Sequence, residues 1–366
     1  MSRVTLIGCG VIGAMIAYEL SQLPELEVCV LDQQPPAQGS TGAALGVLMG
    51  IISHKVKGRN WRLRETSLRR YETLIPELEA KLGRSIPFNR QGILSLCFDS
   101  AELPRWESLQ HIRETQGYPL EIWPPAQIAA ACPYLNLSGV AAAIYSPQDR
   151  QIDPTALTLA LVEAARQQGV SFHFDRQVTG LRPHNGHSLL IETAAGSLEA
   201  DTVILASGTG SSALTQTLNQ AVPIGPVLGQ ALQLKLAAPL GQIDFQPVVN
   251  GNDIHLVPLG GGSYWIGATV EFPTDTDPDW VLGLKLEQER LEEVRQGAIA
   301  FCPALADATV TETWFGLRPR PQGQPAPVIT QLPGHPQVWV TAGHYRNGVL
   351  LAPATALHLR EKLAQS

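Results

Sequence analysis

Gly8, Gly10 and Gly13 stand in the spacing G-x-G-x-x-G, directly after the apolar run 3–7 and directly before the helix formers of 14–23. Each glycine has a mechanical task in that position. The first allows a tight turn, the second lets backbone approach a pyrophosphate, and the third packs helix on strand, with the helix N-terminus facing the phosphates. Asp32 follows Gly13 by 19 residues, at the end of a second apolar run, 27–32, where a carboxylate accepts from ribose hydroxyls. The set points to a bound dinucleotide and does not by itself separate FAD from NAD. Two further stretches suit the same ligand. The small-residue stretch 39–48 lets a bulky ring lie against backbone amides, with a mobile surface loop as the alternative reading. The stretch 202–211 is an apolar strand ending in the turn Ala206, Ser207, Gly208, which reads equally as a ligand-facing turn and as a structural strand end.

Such residues need elements to hold them. Strand, glycine turn, helix and strand within about 30 residues make one dinucleotide-binding half with a right-handed crossover. Apolar residues at helical spacing predict a helix over 62–82, with Gly83 as its stop, and Asp153-Pro154 opens another that runs to Gln168 before Gly169. Strands return at 170–174, 189–193 and 202–206, and 254–258 with 264–268 reads as a hairpin around 259–263. A helix is expected near 284–301, a strand at 338–342 and a last helix from about Pro353 to Leu363. The expected fold is α/β. A Rossmann-type dinucleotide-binding domain is built from 1–60, 141–222 and 311–366, and a β-rich α+β substrate domain, 61–140 and 223–310, is inserted discontinuously.

Length and composition agree with two domains. A chain of 366 residues exceeds the size at which one core stops growing, and 44% hydrophobic against 16% charged residues leaves little room for long disorder. The formal charge of −7, without a basic run, suits phosphate neutralisation poorly, so nucleic acid is not expected as a partner. The 5 cysteines, Cys9, Cys29, Cys97, Cys132 and Cys302, are widely spaced and sit in no metal-ligand pattern, so no metal is expected and a reducing compartment is. Three glycines interrupt the apolar stretch 4–20 and no cleavage site follows it. A cytoplasmic protein without a transmembrane segment is expected.

Taken together, these segments resemble the D-amino acid oxidase family of FAD enzymes, and within it the glycine oxidase branch. The glycine fingerprint, 39–48, 147–154, the Ala206-Ser207-Gly208 turn and 225–230 follow the family pattern along the whole chain. The most specific pieces are 316–321, Gly-Leu-Arg-Pro-Arg-Pro, and 342–355, which opens Ala-Gly-His-Tyr-Arg-Asn-Gly. The resemblance implies FAD as cofactor and a reaction in which hydride leaves the carbon bearing an amine for flavin N5. An imine results, which water hydrolyses to a keto acid and ammonia. It implies a carboxylate clamp at Arg318, whose two-donor fork matches a carboxylate, with Arg346 beside the substrate and His255 in the pocket wall. It also implies a FAD site of Gly8, Gly10, Val11, Ile12, Gly13, Asp32, Gln33, Ser40, Thr41, Leu45, Gly46, Val47, Ser207 and Gly208. Val178 would meet the adenine end through its backbone, and His344, Tyr345, Arg346, Asn347, Gly348, Val349 and Leu350 would wrap the flavin.

The chain departs from the branch in its substrate wall. His255 stands where glycine oxidase has Tyr, Asp253 where it has His, and Val47 and Val270 where it has Met. The flavin scaffold is kept while the wall is altered, so glycine is not expected as the best substrate. Asp253 and His255 would alternate on one strand face, either paired into a polar wall or facing solvent. The partners expected are a small amino acid or amine and oxygen or another electron acceptor. A dehydrogenase of the same fold, an NAD(P)-dependent dehydrogenase, the stereochemistry and a homo-oligomer stay open.

Overall fold

The computed structural model describes residues 1–273 and 284–365. The run after Met1 forms the strand Ser2–Ile7, the fingerprint turns the chain into the helix Val11–Leu20, and the strand Leu26–Leu31 returns parallel to the first. Six strands make this sheet, in the order Val328–Leu332, His335–Ala342, Thr202–Leu205, Ser2–Ile7, Leu26–Leu31, Ser171–His173. All neighbours are parallel except the hairpin at the Val328–Leu332 edge. Its strands read as near-continuous apolar runs because both faces are covered. Val4, Leu6, Val28, Val30 and Ile204 pack under the helices Val11–Leu20, Pro154–Gln167 and Gly348–Leu363. Ile7, Leu31, Val203 and Leu205 pack against Leu181, Leu189 and Ile191 of a three-stranded antiparallel sheet. Strand order reverses between Ser2–Ile7 and Thr202–Leu205, and a crevice opens at the carboxyl ends of such a pair.

The second large sheet has eight strands, in the order Thr309–Pro321, Ile224–Lys235, Ser263–Gly267, Ile254–Gly260, Val248–Gly251, Ile93–Cys97, Ala142–Ser146, Glu121–Trp123. The hairpin expected around 259–263 is its centre, and one pair, Val248–Gly251 with Ile93–Cys97, is parallel. Leu232, Leu234, Leu256 and Ile266 bury one face against Leu291, Val294 and Phe301 of the helix Gln288–Phe301. Two stretches assigned by sequence to the dinucleotide-binding domain, Ala142–Ser146 and most of Thr309–Pro321, hydrogen-bond in this sheet instead. The part of the expected substrate domain at 274–283 lies outside the described residues.

Buried charges tie the helices down. Glu19, fully buried, accepts from Arg70 Nε at 2.7 Å and Arg360 Nη1 at 3.0 Å, which joins the first helix to Gly58–Leu82 and Gly348–Leu363. Asp149, also fully buried, accepts the backbone N–H groups of Gly50, Ile51 and Ile52 at 2.8–2.9 Å and so fixes the chain after the 39–48 loop. Helix ends follow the sequence signals at Gly83, which closes Gly58–Leu82 in the left-handed region, and at Asp153, whose carboxylate caps Thr155 and Ala156. The last helix does not. It begins at Gly348, five residues before the expected start, and carries Pro353 inside it. Among the described residues, no helix is long and apolar enough to cross a membrane.

Candidate active site

The fingerprint glycines are required by close approach. Gly8 adopts φ +107°, and a β-carbon there would lie 2.5 Å from the Ala206 carbonyl oxygen of the neighbouring strand end. At Gly13 a β-carbon would run into the Gly8 carbonyl, so that position seats the helix on the turn. Gly10 precedes the first helical residue, and the Val11 N–H donates to Thr41 Oγ1 at 2.9 Å. Thr41 thereby fastens the 39–48 loop to the helix start. Asp32 accepts the Cys9 N–H at 2.5 Å through Oδ2 and the Gln34 N–H at 2.9 Å through Oδ1. Its carboxylate therefore pins the fingerprint turn to the end of the second strand, with lone pairs left for hydroxyl donors.

A cavity of about 860 Å³ follows these strand ends into the antiparallel sheet. It brings together nearly all the residues singled out in the sequence. Gly8, Gly10, Val11, Ile12, Asp32 and Gln33 line it, with Val178, Ser207 and Gly208. Ser40, Thr41, Leu45, Gly46 and Val47 line it too, as do His344, Tyr345, Arg346, Gly348, Val349 and Leu350. Arg318 and His255 reach it from the eight-stranded sheet. Gly13 lies behind the wall, as does Asn347, whose Oδ1 accepts from Arg64 Nη2 at 3.3 Å. Arg176, Gln177, Phe315 and Ala268 also line the cavity without having been singled out, and Thr209 and Gly210 line it from the stretch 202–211. Arg176 and Gln177 could have been found from the rule that loops at the carboxyl ends of a parallel sheet face the ligand. Phe315 and Ala268 carry no such signal.

Arg318 projects from Thr309–Pro321 and donates through Nη1 to the Leu228 carbonyl at 2.9 Å. Among the described residues no carboxylate forms an ion pair with it, and burial together with the nearby Arg346 lowers its pKa. Arg346 meets Asp253 Oδ1 at 3.7 Å. Asp253 itself is corrected by the structure: Asn252 and Asp253 are the turn between two strands, with φ +51° and +64°, so Asp253 does not share a strand face with His255. Its side chain is 84% exposed. His255 begins the next strand's inward face, and its buried Nδ1 has no hydrogen-bond partner. Burial first, then Arg346, press its pKa down to about 4, so the imidazole is neutral. Val270 is a second correction: it is 38% exposed and outside the cavity wall, where Ala268 stands instead.

His344 is buried against the last helix. The Thr355 hydroxyl donates to the Leu351 carbonyl at 2.8 Å, so at 3.0 Å it accepts from His344 Nε2–H, which fixes the tautomer. Burial lowers this pKa to about 3. Tyr345, at φ +54°, reverses the chain toward the cavity. The glycine cradle, the helix start beneath it, and a cavity that reaches from Val178 to Arg318 fit an extended dinucleotide.

A family model described as DAO, FAD dependent oxidoreductase, matches residues 3–362. The chain is 31% identical to a glycine oxidase of Pseudomonas putida over 359 residues, 96% of this chain and 92% of that one. It is 30% identical to the bifunctional protein ThiO/ThiG of Trichormus variabilis over 96% of this chain, and spans 51% of that longer relative. Among solved structures, the glycine oxidase of Geobacillus kaustophilus superimposes with a TM-score of 0.89 at 25% identity, covering 100% of this chain and 96% of the other.

Proposed function

We propose that this chain, which belongs to the DAO family of FAD dependent oxidoreductases, oxidises a small amino acid or secondary amine bearing a carboxylate. The observation that carries the reading is Arg318: a guanidinium in the wall of the same cavity that the glycine cradle lines, with no acidic ion-pair partner among the described residues. A desolvated arginine fork in that position suits a carboxylate. The glycine oxidases among its relatives act in the same sense. In this division of labour the parallel sheet and its helices hold FAD, and the antiparallel sheet supplies the substrate wall.

FAD, when bound, accepts the two electrons of the C–H bond next to the nitrogen. The chain's own residues bind and orient. Arg318, helped by Arg346, holds the carboxylate, and the same positive charges disfavour a protonated amine beside them, which favours the neutral form that the reaction consumes. His255 presents a neutral imidazole to the wall and adds no third charge. The oxidised product is an imine, and water converts it to a keto acid and ammonia, so no protein nucleophile enters. Proximity supplies most of the protein's contribution. Oxygen or another acceptor then takes the electrons. The 5 unpaired cysteines suit a reducing, cytoplasmic setting.

The test is a substrate screen under anaerobic conditions, read by flavin bleaching, with glycine, sarcosine, both prolines and a set of D and L amino acids. Bleaching by one or more of these is expected, and by their carboxylate-free counterparts far more slowly. A flavin that none of them reduces would overturn the reading. Oxygen uptake with and without an artificial acceptor then assigns the acceptor.

A further inference from the structure

Gly229 lies in the middle of the strand Ile224–Lys235, where a glycine weakens a sheet and marks a close approach. Its backbone does not require glycine, since it is not among the residues with left-handed φ. The requirement is spatial. Gly229 pairs with Gly316 across the ladder, and Arg318 pairs with Val227. Arg318 and Gly229 are therefore diagonal neighbours on one face, within reach of a long side chain. The guanidinium has leaned over that diagonal: a β-carbon built on Gly229 would fall among Nη1, Nη2 and Cζ of Arg318. The group sits against Gly229, held by its bond to the Leu228 carbonyl, and that carbonyl also accepts from the Glu271 N–H at 3.0 Å. Gly229 also lines the cavity.

We infer that Gly229 is a positioning residue: the missing side chain sets how deep the Arg318 fork lies, and through it where the substrate carboxylate and the neighbouring carbon come to rest. The inference builds on the reading of Arg318 as the carboxylate clamp. A methyl group at 229 would push the fork into the cavity without removing its charge. Carboxylates would still bind, but the carbon to be oxidised would be displaced, and a shift of about 1 Å costs on the order of 100-fold in rate.

The experiment uses the FAD-loaded Gly229→Ala enzyme. Expected are FAD content equal to the unaltered enzyme, a kcat for the amino acid lower by about 100-fold, and less than a tenfold change in KM and in acetate affinity, the latter read from the perturbed flavin absorbance. Turnover of the matching amine without a carboxylate should be unchanged. Equal losses on amino acid and amine, or loss of FAD, would overturn the inference. Arg318→Ala should instead act mainly on acetate affinity and KM. Should Arg318→Ala leave both unaltered, the clamp reading itself fails. Should it behave as expected while Gly229→Ala changes nothing, only the present inference fails. The double variant Gly229→Ala/Arg318→Ala guards against misfolding, because removing the guanidinium makes room for the methyl group. Its rates should match Arg318→Ala within about twofold, as coupled residues on one path do, and a further large loss would contradict action through Arg318.

Discussion

The Tyr71 hydroxyl donates to the Val349 carbonyl at 2.5 Å, and that carbonyl is the one that Pro353, lacking an N–H, leaves without its helical partner. A residue of the long helix Gly58–Leu82 thus completes the first turns of the last helix, whose N-terminal residues line the cavity. Tyr71 is fully buried, so no water can take its place.

Tyr71→Phe should therefore strand a buried carbonyl and destabilise the protein by about 1–3 kcal/mol. A lowered thermal midpoint, with faster FAD loss on dilution, is the expected result. An unaltered midpoint would mean that the Val349 carbonyl finds another donor.

Stability should also fall with acid in a definite window. His344 and His255 have native pKa values of about 3 and about 4, below the ordinary 6.5. Between 6.5 and those values the unfolded chain binds protons that the native one refuses, and stability rises with pH wherever the unfolded state binds more. The contribution is complete above about 6.5 and is lost as pH falls toward 4 and 3. Denaturant midpoints measured across pH 4–8 should show a shallower acid slope in His344→Asn than in the unaltered protein. Identical slopes would show that His344 takes up its proton in the native state.

The substrate wall gives a specificity prediction. Tyrosine at 255 is larger than histidine and takes up more of the cavity, so His255→Tyr should raise the rate on glycine relative to sarcosine and proline. Initial rates on the three substrates decide it. A ratio that does not move, or an unaltered enzyme that already prefers glycine clearly, would show that this position does not set the choice.

Much of the dinucleotide end was readable because its signals are local. Glycines, an acid at a fixed distance and a strand before a helix are consecutive in the chain, and each has one mechanical meaning. The failures lie where distant residues decide. Pro353 reads as a helix start unless one knows that Tyr71, 278 residues away from Val349, will satisfy the freed carbonyl. Asp253 and His255 alternate like strand residues, yet Asn252 and Asp253 take left-handed angles and become a turn. Only likeness puts Val270 in the wall, whereas Glu271 bridges to Leu228 and leaves Val270 exposed. Gly229 belongs to a stretch the sequence singled out, but nothing in the sequence says that Arg318 will lie on it.

The most direct measurement of the central claim compares Arg318→Ala with the unaltered enzyme on an amino acid and on the matching amine without its carboxylate. Removing one partner of a desolvated charge pair costs about 2–5 kcal/mol, and each 1.36 kcal/mol is tenfold in rate. Expected are a kcat/KM for the amino acid lower by roughly 30-fold to several thousand-fold, an amine rate nearly unchanged, and FAD content and spectrum retained. Lysine at 318 should restore only part, since it keeps the charge without the fork. Equal losses on both compounds, or a variant that no longer holds FAD, would contradict the account and make Arg318 a structural residue.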